Sequence, residues 1–198
     1  MPLVNGFHTH DLCKTVGNLP GQYSWQVMNY RIAVRELAAS GTDANPDFRD
    51  KKLLRIVWHA LRGGDPKLTD WLIKKCPDVI SAENPTELIE RMNALTGGSY
   101  IDQDGMLADI HSYDSNIARG KKLHNDDQLR RLQQLRQWMP DRMRTCNMQP
   151  ILDPKAGPLI AIRERLISRK SLGGIQTDTC SRVLSTNGNP IARAIRRR

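Results

Sequence analysis

The stretch richest in chemical potential is Arg169-Lys170-Ser171-Leu172-Gly173-Gly174-Ile175-Gln176-Thr177-Asp178. Two adjacent glycines between an apolar and a β-branched residue mark backbone that bends where no Cβ fits, or that passes another group closely. Arg169 and Lys170, just before them, add two cations. On composition alone a strand bend beside surface charges is the first reading, and close approach to a ligand is the alternative.

The remaining reactive side chains are dispersed. His8 and His10 in "HTH" offer two imidazoles, but no third ligand stands near them at metal-site spacing, so they read as a surface pair. His59, His111 and His124 stand singly on helical or loop segments and read as packing or surface residues. Cys13 and Cys146 become nucleophiles only if a histidine approaches in space. Asp126-Asp127 reads as a helix cap rather than an acid–base dyad. Neither G-x-G-x-x-G nor G-x-x-x-x-G-K-[ST] occurs, so the chain has no phosphate-cradling loop of its own.

The elements that must position these residues follow from periodicity and punctuation. The opening, to about Gly21, shows no sustained period. "YSWQVMNYRIAVRELAAS" (Tyr23 to Ser40) begins with strand-forming residues and continues as a short helix. Leu53, Leu54, Val57, Trp58 and Leu61 have helical spacing ended by Gly63-Gly64. Asp65 and Pro66 open a further helix that Pro77 stops. In "NPTELIERMNAL" Asn84 caps, Pro85 enters the first turn and Glu87 completes a capping box, ahead of an apolar stripe at Leu88, Ile89, Met92 and Leu95. "DQDGMLADIHSYDSNIARG" and "QLRRLQQLRQWM" add two more helices. After Pro150 short apolar runs and an Asn187-Gly188 turn signal point to strands, with "SRVLSTNGNPI" a hairpin whose second strand loses its apolar alternation in the closing arginines. The fold class expected is α+β, helical through residue 150 and β-rich from 151.

Composition bounds the function classes. The 198 residues are 39% hydrophobic and 26% charged, ordinary for a globular chain. The formal net charge is +9, but Arg193, Arg196, Arg197 and Arg198 supply four of those charges. Elsewhere cations alternate with Asp and Glu, as in "DFRDKKLLR", which describes solvated helical faces rather than a phosphate-binding stripe. Nucleic acid is therefore disfavoured as a partner, although a non-enzymatic basic binding module using the arginine tail is the alternative function. No apolar run approaches the roughly 20 residues that span a bilayer. Four scattered cysteines and an N-terminus unlike a signal peptide lead to an expectation of free thiols in a cytoplasmic protein.

From Ile151 onward the residues carry a family pattern. Gly157-Pro158-Leu159-Ile160-Ala161, then Leu172-Gly173-Gly174-Ile175-Gln176-Thr177-Asp178, then Arg182-Val183-Leu184 through Asn187-Gly188-Asn189-Pro190-Ile191, resemble the flavoproteins of the fumarate reductase and succinate dehydrogenase superfamily. The similarity is greatest to their 3-ketosteroid dehydrogenase-like, FAD-dependent relatives, and it covers most of the chain. The resemblance implies a mostly helical capping, substrate-binding domain over residues 1–150 and part of an FAD-binding domain over 151–191. It implies hydride transfer between a carbon–carbon bond of a small-molecule substrate and FAD. Ser171, Leu172, Gly173 and Gly174 would then contact the flavin. Arg169 and Lys170 stand where fumarate reductases carry a histidine pair, which argues against fumarate as the substrate but leaves two cations for another anion.

The family's dinucleotide fingerprint is missing, and so is the "PIPGLYAAG" segment expected at Pro190, where this chain reads "PIARAIRRR". Ala192 to Arg198 can be encoded GCC CGG GCT ATA CGC CGC CGG, and one base later the same letters read Pro-Gly-Leu-Tyr-Ala-Ala-Gly. The expectation is that residues 192–198 are an out-of-frame tail, that the chain is a truncated fragment, and that it binds FAD weakly or not at all and is inactive by itself. Reading the gene in both frames checks the tail.

Overall fold

Three strands from distant parts of the chain meet in one sheet, and this sheet organises everything that follows. The computed structural model describes residues 9–38, 45–139, 142, 145–166 and 175–195. The chain divides into two units, Met1–Leu166 and Ile167–Arg198.

In the first unit, helix α1 (Thr9–Gly17) precedes strand β1 (Tyr23–Asn29), which passes directly into α2 (Tyr30–Leu37). Then come α3 (Pro46–Arg49), α4 (Leu53–Leu61), α5 (Pro66–Lys75), β2 (Val79–Ala82), α6 (Pro85–Thr96), α7 (Gln103–Ala118), α8 (Asp127–Leu135) and β3 (Leu159–Arg165). The sheet order is β1-β3-β2, with β3 central and antiparallel to both neighbours. Asn29 pairs with Leu159 at one end and Tyr23 with Arg165 at the other.

A central strand covered on both faces must be apolar on both, and Leu159, Ile160 and Ala161 are all buried. Leu159 and Ala161 join Leu88 and Met92 of α6 on one face, with Trp25, Val27 and Met106 packed against them. Ile160 joins Met28, Ala33 and Val79 on the other, against Ile32 and Ile73. The mixed helix and antiparallel sheet agree with the α+β expectation. The first unit runs past Pro150, however, because β3 is hydrogen-bonded to β1 and β2.

Helix starts follow their caps. The Asn84 side chain accepts from the Glu87 N–H at 2.9 Å, Asp65 from Leu68 at 3.1 Å and Asp126 from Leu129 at 2.8 Å. Asp126 is thus a cap, as its sequence context indicates. The helix expected from Leu53 to Leu61 is α4, separated from α3 by Lys51 at φ 55°. Two features depart from expectation. The opening segment contains α1. And the apolar residues of α4 are not buried among the described residues: Leu54 is 89% exposed and Leu61 81%. Helical period alone says which side chains share a face, not what covers it.

The second unit contains a hairpin of β4 (Arg182–Leu184) and β5 (Pro190–Ile195) around Gly188, whose φ is 78°. β5 continues to Ile195, paired with Arg182. Backbone hydrogen bonds carry the strand beyond the point where apolar alternation ends. None of the four cysteines is in a disulfide, and no helix among the described residues is long and apolar enough to cross a membrane.

Candidate functional site

The stretch singled out from sequence, Arg169 to Gly174, lies outside the described residues, as does His8. Among the described residues the first unit holds a cavity of about 330 Å³ beside the sheet face that packs on α6 and α7. Its wall takes Trp25 and Val27 from β1, Met92 from α6, Met106 and Tyr113 from α7, and Leu132 from α8. That volume is at the lower end of the roughly 300–1,000 Å³ of small-molecule sites.

The wall is closed by the segment after Thr145, which has no regular structure and is held by side chains. Asp114 on α7 accepts the N–H of Ile151 at 2.7 Å and of Leu152 at 2.9 Å. Asn29, fully buried at the β1–α2 junction, donates to the carbonyls of Pro150 at 2.9 Å and Ile151 at 3.2 Å. Arg31 reaches the Asp153 carboxylate at 2.8 Å. One irregular segment is therefore fixed from α7, from the sheet and from α2, and it brings Cys146, Gln149 and Ile151 to the cavity.

A small polar group interrupts the apolar lining. Arg136, just after α8, pairs with Glu36 of α2 at 3.0 Å and donates to the Cys146 carbonyl at 3.0 Å. The Cys146 thiol donates to the same Glu36 oxygen at 3.3 Å. Burial, reinforced by the Glu36 charge, pushes the Cys146 thiol up to about 11. Burial likewise pushes the Tyr113 phenol up to about 12. Both groups keep their protons at neutral pH. Cys146 is thus a half-buried free thiol hydrogen-bonded to Glu36.

One donor is left over. The Trp25 indole N–H is buried and has no hydrogen-bond partner among the described residues, although Trp25 lines the cavity. Its ring is held edge-on by Tyr23, with centroids 6.2 Å apart and planes at 85°. A buried donor without a partner costs about 1–3 kcal/mol, which an acceptor on a bound molecule would relieve. The lining is thus mostly apolar, and Trp25 adds to it a buried N–H without a partner among the described residues. Trp25, Glu36, Tyr113 and Arg136 had no motif to announce them. They converge only because β1, α2, α7 and α8 surround one face of the sheet.

The described residues do not by themselves form a dinucleotide site. A pyrophosphate needs free N–H groups where a glycine-rich turn enters a helix from a parallel strand. Here the sheet is antiparallel, and both strand-to-helix junctions are closed by asparagine. Asn29 takes the Ile32 N–H at 3.0 Å and Asn84 takes that of Glu87 at 2.9 Å.

No family model matches the chain. Curated relatives do. The KsdD-like steroid dehydrogenase of Mycobacterium tuberculosis is 32% identical over 193 residues, covering 97% of this chain and 34% of that protein. The KsdD-like steroid dehydrogenase of Mycolicibacterium smegmatis is 30% identical over 189 residues, covering 95% of this chain and 34% of that protein. The chain spans about a third of the length of the curated relatives it matches. Over nearly all of its own residues, this chain is a homologue of the KsdD-like steroid dehydrogenases.

Proposed function

We propose that the chain supplies the substrate-binding portion of an FAD-dependent dehydrogenase that acts on a carbon–carbon bond of a steroid-like molecule, and that it is inactive alone. The observation that carries the proposal is the cavity beside β1, apolar over most of its wall and carrying the orphaned Trp25 N–H. A steroid offers that combination: a rigid apolar body with an oxygen at its edge. The names of the homologous proteins support the same substrate class. In this reading Ser171, Leu172, Gly173 and Gly174 stand along the flavin, and Arg169 and Lys170 hold the substrate's developing negative charge. FAD would supply the hydride acceptor. The described residues bind and orient the apolar body, exclude water from it and donate one hydrogen bond.

Titration of the purified chain with progesterone, followed by tryptophan fluorescence, tests this reading. Saturable quenching is expected, with about tenfold weaker binding in Trp25→Phe, because one hydrogen bond is worth about 1–1.5 kcal/mol. The same preparation should be colourless, since its described residues form no pyrophosphate cradle. Quenching that never saturates, or equal affinity in Trp25→Phe, would refute the assignment of the cavity.

A further inference from the structure

In the first unit, three side chains from three successive helices point their ligand atoms at one another. Asp47 lies on α3, His59 on α4, and Asp65 caps α5. One ligand atom from each lies within 4.8 Å of the others.

The Gly64 carbonyl selects the tautomer of the neutral His59 ring. Nδ1 lies 3.3 Å from the Gly64 carbonyl, which can only accept, so Nδ1 carries the proton and Nε2 presents a lone pair in the neutral ring. That nitrogen faces Oδ2 of Asp65 at 3.6 Å and Oδ2 of Asp47 at 3.8 Å. These separations are too long for hydrogen bonds. They are close to the roughly 3.3–3.6 Å between ligands around a tetrahedral ion with bonds of about 2.0–2.2 Å.

Asp65 adds an independent observation. It is 8% exposed, and Oδ1 is committed to the Leu68 N–H at 3.1 Å. Its Oδ2 receives no hydrogen bond from any described residue and is turned toward the cluster. Asp47, 9% exposed, meets Arg55 at 3.7 Å and Lys52 at 3.9 Å through Oδ1, which leaves Oδ2 for the cluster. The two Oδ2 atoms converge on His59 Nε2, and a cation among the three groups would offset the repulsion between the two carboxylates.

The surroundings hold the arrangement in place. The Gly64 carbonyl behind Nδ1 is the outer partner that orients a ligating imidazole. The Asp65 N–H donates to the Val34 carbonyl at 3.0 Å, which fixes the cap on α2. All three residues line a cleft of about 960 Å³, which gives an ion a route in.

We infer that Asp47, His59 and Asp65 form a site for a divalent transition-metal ion of the zinc type, with a fourth coordination position left open to solvent. One nitrogen and two oxygens without thiolate suit zinc, cobalt and manganese.

The test uses the full chain, stripped with chelator. Calorimetric titration with Zn²⁺ should show one equivalent bound, and Co²⁺ should give intense visible d–d bands without thiolate charge-transfer bands. His59→Gln and Asp65→Asn should each weaken zinc by more than about 100-fold. Asparagine keeps the cap on α5, and circular dichroism confirms that each variant is folded. Equal zinc affinity in the folded variants would overturn the inference and direct attention to His8, His10 or the thiols. So would a chain that binds no zinc while NMR finds both His59 nitrogens protonated at neutral pH, which identifies a simple ion pair.

Discussion

Replacing Asn29 tests how the cavity wall is held. This side chain is fully buried and makes three hydrogen bonds. Its oxygen caps α2 through the Ile32 N–H at 3.0 Å, and its amide donates to the Pro150 carbonyl at 2.9 Å and the Ile151 carbonyl at 3.2 Å. Loss of a cap costs about 1 kcal/mol, and buried acceptors left without a donor cost about 1–3 kcal/mol. Asn29→Ala should therefore destabilise the first unit by about 2–4 kcal/mol. In urea, with a slope near 2 kcal/mol/M, the midpoint falls by about 1–2 M. Asn29→Asp sharpens the test. It preserves the capping oxygen but turns a charged oxygen toward two carbonyls, which raises that carboxyl in the folded state above its unfolded value. The folded protein then binds more protons than the unfolded one, so this variant is least stable at neutral pH and recovers as pH falls. A loss below about 0.5 kcal/mol in Asn29→Ala, or a pH-independent Asn29→Asp, would refute the role assigned to this side chain.

Two further measurements bear on the same unit. Gly64, at φ 128°, has no room for a Cβ against the Val34 carbonyl, whereas Gly63, at φ 88°, has open space. Gly64→Ala should cost more than about 3 kcal/mol and Gly63→Ala about 1 kcal/mol, read as urea midpoints; equal losses would show that the backbone angle alone matters. Stability should also decline through alkaline pH. The Cys146 thiol, ordinarily near 9, is held up to about 11, and the Tyr113 phenol, ordinarily near 10, up to about 12. The unfolded chain therefore loses these protons first, and stability falls from about pH 9 to 12. The double variant Cys146→Ser, Tyr113→Phe should flatten that decline in a denaturation series, and an unchanged slope would place the cause elsewhere.

What could be read from the sequence was whatever short-range chemistry controls. Asn84 followed by Pro85 and Glu87 starts α6 as its pattern requires, and Asp65 with Pro66 starts α5. The change from "YSWQVMN" to "YRIAVREL" marks the β1–α2 junction. Strand β2 was missed because "VISA" is only four residues long and has no alternation to detect. The cavity was missed because its parts are linked only through the sheet register. The Asp47, His59 and Asp65 cluster was missed for a related reason. Its spacing matches no familiar ligand pattern, and the reversal at Gly63-Gly64 is what returns Asp65 to the side of His59.

The position of β3 at the centre of the sheet bears on the chain's biosynthesis. Among the described residues Asn29 waits for Leu159, about 130 residues later, before β1 has a partner, and β2 likewise pairs with β3 alone. At about 5–20 residues per second, a ribosome needs on the order of ten seconds to make the intervening chain. During that interval Trp25, Val27 and Met28 belong to an unpaired strand, beside helices that form within microseconds. The nascent chain therefore carries β1 and β2 without their central strand until Leu159–Arg165 has been made. Any stop codon before Leu159 would leave two strands with no centre to join.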